Sequence, residues 1–146
     1  MHIEKITAAE LEDWIVLRQQ LWPWSEVEHR AEAEAALENP DAVAFLAKDE
    51  KGETIGFAEA DLRRDYVNGC TTSPVGFLEG IYVKDLYRRR GAARALTQAV
   101  ETWTRTQGCS ELASDAWLDN ATSHRMHGAL GFEETERVVY FRKILK

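Results

Sequence analysis

FLEGIYVKDLYRRRGAA, residues 77–93, changes character halfway along. Its first half, rich in Leu, Ile, Tyr and Val, reads as a strand with one glutamate set in it. Its second half is a basic turn that runs through Gly91 into a helix. The first backbone N–H groups of a helix have no partner, and the helix dipole is positive there. Arginines beside such a turn make an anion site, so the spacing predicts a phosphate-bearing ligand on Arg88, Arg89, Arg90, Gly91, Ala92 and Ala93. By the two-residue period of a strand, Glu79 shares a face with Phe77, Ile81 and Val83. An unpaired carboxylate there is costly to bury, so Glu79 either lines a cleft or pairs with an arginine.

Working outward, the 146 residues suffice for one domain, and no linker or internal repeat divides them. With 45% hydrophobic and 29% charged residues, the composition is that of a globular protein. The net charge of −7 argues against nucleic acid as a partner and suits a cationic substrate. No apolar run is long enough to cross a membrane, and MHIEKITAAE is too polar for a signal peptide, so a cytoplasmic location is expected. Cys70 and Cys109 form no CxxC motif.

His2 to Ile6 reads as a first strand, and Thr7-Ala8-Ala9-Glu10 as a capping box before a helix bearing Leu11, Trp14, Ile15, Leu17 and Leu21. Pro23 stops it between Trp22 and Trp24. Ser25 to Glu28 caps a second, Ala- and Glu-rich helix through about Leu37. Ala42 to Lys48 and Thr54 to Arg63 read as a hairpin turning at Asp49-Glu50-Lys51-Gly52. A turn-rich loop, Asp65 to Pro74, leads into the strand quoted above. The helix after Gly91 runs to about Gln107, with Gly108 past its end. Ser110 to Ser114 is a short strand, Asn120 caps a last helix through Leu130, and Glu133 to Leu145 reads as a final strand. The order β-α-α-β-β-β-α-β-α-β implies an α/β (α+β) fold: a mixed, mostly antiparallel sheet with helices on both faces and two parallel crossovers in its second half.

This order, with Arg88-Arg89-Arg90-Gly91-Ala92-Ala93, resembles the GNAT superfamily of acetyl-CoA-dependent N-acetyltransferases. Arg88, Gly91 and Ala93 fill that family's (Arg/Gln)-x-x-Gly-x-(Gly/Ala) loop pattern. Asn120, Gly131 and Phe132 match its Asn-x-x-Ala-x-x-x-Tyr-x-x-x-Gly-Phe pattern, with Ser123 in place of the alanine and His127 in place of the tyrosine. LRQQLWPW (17–24), DYVNGC (65–70), PVGFLEGIYV (74–83), ASD (113–115) and GFEETERV (131–138) are similar to the aminoglycoside 6′-N-acetyltransferases of the small enterobacterial and Acinetobacter subgroup.

The resemblance implies a single GNAT domain over residues 1–146 and a homodimer. It implies that Trp22, Tyr66, Glu79, Asp115 and Glu136 line the antibiotic site. Acetyl-CoA is then held by the backbone of Ile81, Tyr82 and Val83, by residues 88–93 and by Asn120. Ser25 stands where some relatives carry a substrate-contacting histidine.

Chemically, the acids form a pocket for an amino sugar, and Trp22 and Tyr66 offer flat faces to its rings. Glu79 holds an ammonium group or takes its proton through a water. Backbone N–H groups near Ile81 to Val83, freed where the strand bulges or splays as Gly80 would ease, polarise the thioester carbonyl. The leaving thiolate takes a proton from His127 or Tyr140, or from neither. His124 and His127 lie one turn apart but have no third ligand, so no metal is expected. Two other readings remain: an acetyltransferase for another amine, such as a polyamine or a protein N-terminus, and a CoA-binding module without catalysis.

Overall fold

Capping chemistry sets most of the helix boundaries in the computed structural model, which describes residues 1–146. Thr7 N–H donates to Glu10 Oε2 at 2.9 Å and Thr7 Oγ1 accepts from Ala9 N–H at 3.3 Å. This box opens a 3-10 turn that runs into helix α1 (Leu11–Leu21). Ser25 Oγ accepts from Glu28 N–H at 3.2 Å and opens α2 (Glu26–Glu38). Helix α3 (Ala92–Thr106) starts after Gly91 without a side-chain cap. Asn120 Oδ1 accepts from Ser123 N–H at 3.1 Å and opens α4 (Ala121–Ala129).

The strands are β1 (His2–Lys5), β2 (Ala42–Lys48), β3 (Thr54–Arg63), β4 (Val75–Val83) and β5 (Leu112–Ser114). They form one sheet in the order β1-β2-β3-β4-β5. The first three pairings are antiparallel, and β4–β5, joined through α3, is parallel. Each face of the sheet carries its own core. On one, Leu96 and Val100 of α3 pack on Val43, Ala58, Leu78 and Val83. On the other, Trp14, Ile15 and Leu17 of α1 and Ala33 of α2 pack on Ala44, Leu46 and Phe57.

Strand β4 carries one residue too many. Gly80 pairs with Glu59 and Leu78 with Ala60, so Glu79 is the unpaired residue of a bulge. The extra residue resets the alternation. Leu78 lies on the α3 face before it, and Ile81 and Val83 lie on that same face after it. Glu79 therefore does not share a face with Ile81 and Val83, as an unbroken period of two predicts. It stays with Phe77 on the α1 face, where Arg63 reaches both. Gly80 follows on that same face, against Trp22.

The tail differs from expectation more plainly. Residues 133–145 form no strand, so only one of the two expected parallel crossovers exists. A strand persists only on its neighbour's hydrogen bonds, and this segment lies on no sheet edge of its own chain. Its apolar side chains are open to solvent: Val139 is 75% exposed, Tyr140 84% and Phe141 92%.

Leu96 is fully buried at the centre of the α3 core. Leu96→Ala is expected to lower the unfolding free energy by about 3 kcal/mol in urea titrations, from lost apolar transfer plus the cavity left behind.

Candidate active site

The parallel pairing of β4 with β5 spans only Gly76 to Leu78. Beyond the bulge the two strands part, and one edge of β4 is left without a partner. Lys84 N–H donates to Ile55 O at 2.9 Å, toward β3. By the alternation of an antiparallel strand, Tyr82 N–H also faces β3, while the amides of Ile81 and Val83 face the opening. Two of the three expected backbone donors thus point into the fork.

The basic loop lies at the end of the same strand. Arg88 is folded inward: its Nε donates to Val83 O at 2.8 Å and its Nη2 pairs with Asp85 at 3.1 Å. It holds the loop to β4 although its side chain stays half exposed, and Arg89 and Arg90 are exposed as well. Arg89, with φ of 62°, and Gly91, with φ of 87°, are both left-handed. A Cβ on Gly91 would meet nothing, so glycine is needed there for its backbone angle rather than for space. The first intrahelical bond of α3 runs from Ala95 N–H to Gly91 O at 3.0 Å. The amides of Ala92, Ala93 and Arg94 ahead of it are open at the positive end of the helix. Open amides, a basic loop and a parted strand edge fit a long ligand with phosphates at one end and a carbonyl at the other.

On the α1 face, Arg63 Nη2 donates to Glu79 Oε1 at 2.6 Å and its guanidinium lies 3.4 Å over the Phe77 ring. Asp61, which sequence reading did not single out as a site residue, is beside them. Its Oδ1 is buried without a hydrogen-bond partner. A proton between Asp61 and Glu79 supplies the missing bond. Burial, then Glu79, push the Asp61 carboxyl up to about 7, against the pull of Arg63.

The Trp22 ring packs on Gly80, where a Cβ would come within 2.4 Å of it. Trp22 also stacks on Trp24 at 5.1 Å. Glu79, Asp61 and Trp22 therefore meet at the bulge. Asp115 directly follows Ser114, the partner of Leu78, and so stands at the level of Glu79, but it is exposed and unpaired. Tyr66 is 74% exposed in its loop. That loop meets the tail at Gly69, where a Cβ would lie 2.1 Å from Thr135 Oγ1, next to exposed Glu136. Tyr66 and Glu136 are thus both exposed, in a loop and a tail that meet, and neither is bonded to Glu79. Ser25 is a helix cap.

His127 is held from both sides. Its Nδ1 lies 2.8 Å from Ser123 O, a carbonyl that can only accept, so Nδ1 carries the hydrogen. Its Nε2 lies 2.8 Å from Ser114 Oγ, which is itself 3.2 Å from Leu78 O at the fork. The Phe132 ring packs edge-on against the imidazole at 5.2 Å. His124 Nε2 instead donates to Trp117 O at 2.9 Å, so the two histidines do not converge. Asn120 is exposed, its side chain spent on the α4 cap. Tyr140 lies far out on the exposed tail.

A bulged strand, a fork beside it and an anion-binding loop feeding a helix define an acetyltransferase. The profile of the acetyltransferase (GNAT) family matches residues 4–132, and the chain belongs to that family. It is 52% identical over 136 residues to the aminoglycoside N(6')-acetyltransferase type 1 of Serratia marcescens, covering 92% of this chain and 93% of that protein. Its fold is similar to the aminoglycoside 6'-N-acetyltransferase AAC(6')-IG of Acinetobacter haemolyticus, with a TM-score of 0.96, 47% identity and 100% of both chains covered. It is similar also to AAC(6')-Iy, solved in complex with the bisubstrate analogue CoA-S-monomethyl-acetylneamine, with a TM-score of 0.94, 46% identity and 99% and 98% of the two chains covered.

Asp61 binds its proton more tightly in the folded chain than in the unfolded one. That preference stabilises the fold fully below about pH 4 and is lost as the pH rises through about 7. Discounted for a side chain 37% exposed, the loss is about 1 kcal/mol. Asp61→Asn is expected to melt above the parent at pH 8 and level with it at pH 4. A constant difference across that range would mean that Asp61 stays ionised throughout.

Proposed function

We propose that this chain is an aminoglycoside 6′-N-acetyltransferase, moving an acetyl group from acetyl-CoA to the 6′-amino group of the antibiotic in a ternary complex. The observation that carries this reading is the convergence of Trp22, Glu79 and Asp61 on the bulge, one residue from the open β4 amides. An acid and an aromatic wall for a cationic sugar thereby adjoin donors for a carbonyl. Identity at about half the positions to named aminoglycoside acetyltransferases over almost the whole chain supports the same substrate class. Residues 1–146 act as a single acetyltransferase domain, which we place in the cytoplasm.

Acetyl-CoA supplies an activated thioester acetyl group. The amides of Ala92, Ala93 and Arg94, with Arg89 and Arg90, hold its phosphates, and Arg88 and Gly91 shape the loop. The amides of Ile81 and Val83 face the carbonyl oxygen as it gains charge. Asn120, occupied as a cap, contributes by placing α4. Glu79 holds the acceptor's ammonium group and, with Asp61, takes protons from it; Asp115 and Glu136 add negative charge at the rim, and Tyr66 a ring face. Holding both substrates on one strand provides most of the acceleration. Ser114 Oγ, held by His127 where β5 leaves β4, offers the leaving thiolate a hydrogen bond, and the proton that the thiolate finally takes comes from water.

The chain works as a homodimer in this reading. An apolar tail with Phe141 92% exposed, and the partnerless outer edge of β5, support a second copy as its occupant.

With acetyl-CoA present, 6′-amino aminoglycosides are expected to release CoA, whereas peptides and polyamines are not. Binding of acetyl-CoA without turnover on any amine would leave only a binding module. Glu79→Gln is expected to weaken aminoglycoside binding about tenfold and acetyl-CoA binding less than twofold by calorimetry; equal losses would make Glu79 structural. Light scattering should give a dimer for the full chain and a monomer for a chain ending at Glu136, and a monomeric full chain would rule out the assembly.

A further inference from the structure

Arg18 is an arginine in the middle of a core. It is 2% exposed, and His29 beside it is fully buried. One guanidinium nitrogen, Nη1, is bonded to both oxygens of Glu59. The second, Nη2, reaches Glu32 at 2.5 Å. The third, Nε, donates to His29 Nδ1 at 3.2 Å. Trp14 Nε1–H completes the Glu59 carboxylate at 3.0 Å. The acetyl transfer described above uses none of these groups.

The hydrogen-bond pattern has one consistent direction. Arginine has only protons to give, so His29 Nδ1 must accept. The hydrogen of the imidazole then sits on Nε2, which lies 3.1 Å from the Trp22 carbonyl and donates to it. Arg18 also lies 4.9 Å over the Trp22 ring, and Trp24 stacks on Trp22 at 5.1 Å and on His29 at 5.4 Å. At the far end, Glu59 is the register partner of Gly80, on which the Trp22 ring rests. A single buried chain, Glu59–Arg18–His29–Trp22 C=O, thus ties strand β3 opposite the bulge to the residue that ends α1.

We propose that Arg18 and His29 are positioning residues for the acceptor site: they fix the Trp22 backbone and ring so that its indole stands as a wall one residue from Glu79. The proposal rests on Trp22 being part of that site. A merely structural pair would require no defined donor direction and no contact with Trp22. Here the histidine's only donor is spent on the carbonyl of Trp22 itself, just where Pro23 prevents the helix from continuing to hold it. Neither Arg18 nor His29 touches the fork or the loop of residues 88–91, so their effect falls on the acceptor alone.

Steady-state kinetics on the full chain test this, with kanamycin-class 6′-amino aminoglycosides as the probe. His29→Leu should raise the acceptor KM about tenfold, with kcat and the acetyl-CoA KM within twofold of the parent. His29→Gln, which can accept from Arg18 and donate to the Trp22 carbonyl, should return the acceptor KM to within threefold. Ala33→Gly, a destabilising change in the same buried helix face, should lower the melting temperature without moving the acceptor KM. In the double variant Trp22→Ala with His29→Leu, the KM should be no higher than in Trp22→Ala alone. If His29→Leu does not fold, His29→Asn, which can accept from Arg18 but is too short to reach the Trp22 carbonyl, carries the same expectation. A raised KM in Trp22→Ala together with a parental KM in His29→Leu or His29→Asn overturns the positioning role. So do additive effects in the double variant, or a Gln variant as impaired as Leu. A parental KM in Trp22→Ala overturns the aromatic wall itself, and the positioning role with it.

Discussion

One extra residue in β4 governs this molecule. Without the bulge at Glu79, the period of two would set Glu79 and Ile81 on one face and Gly80 on the other. With it, Glu79 and Gly80 fall consecutively on the α1 face, and Ile81 and Val83 return to the α3 core. The acid and the glycine that accommodates Trp22 then occupy one side of the strand. The same interruption coincides with the end of pairing to β5, so the unpaired amides begin where the acceptor groups end. A ladder that ran regularly to Val83 would satisfy its backbone groups and leave none for a ligand.

The buried cluster around Arg18 shows how that arrangement is kept rigid. A desolvated guanidinium is expensive, and its neighbours must satisfy every donor. Burial pushes the Glu59 carboxyl above its ordinary range, while Arg18 and Trp14 oppose the shift. Such clusters contribute little net stability compared with apolar packing, yet losing one partner costs about 3–5 kcal/mol. What the cluster supplies is direction. Few alternative packings of α1 on the sheet satisfy four bonds at once, so the helix end and its tryptophan have one place to be.

Much of the architecture is legible in the sequence because it is local. Thr7, Ser25 and Asn120 announce their helices, Asp49 to Gly52 its turn, and Arg88 to Ala93 its anion loop, each through chemistry within a few residues. What escapes is set by register. Gly80 signals that β4 bulges or splays, but nothing marks Glu79 as the residue left over, and with that go its face and the closeness of Asp61. Nothing in the sequence marks Arg18 and His29 as buried until α1 and α2 meet. The tail fails for the opposite reason: its pattern is that of a strand, but a strand needs a bonded neighbour, and the tail pairs with neither free edge of its own sheet.

The exposed arginines at 89 and 90 belong to a molecule whose overall charge is −7. Positive charge is thus concentrated at one end of β4, while Glu79, Asp61, Asp115 and Glu136 lie toward the other. Arg63, paired with Glu79, offsets part of that acid, so the charge is only partly separated along the strand. An anionic cosubstrate and a cationic acceptor are thereby favoured at different stretches of one strand. The ambient salt that screens this field over about a nanometre slows both arrivals together, while the groups that meet at the bulge act within a few ångströms and are largely beyond its reach.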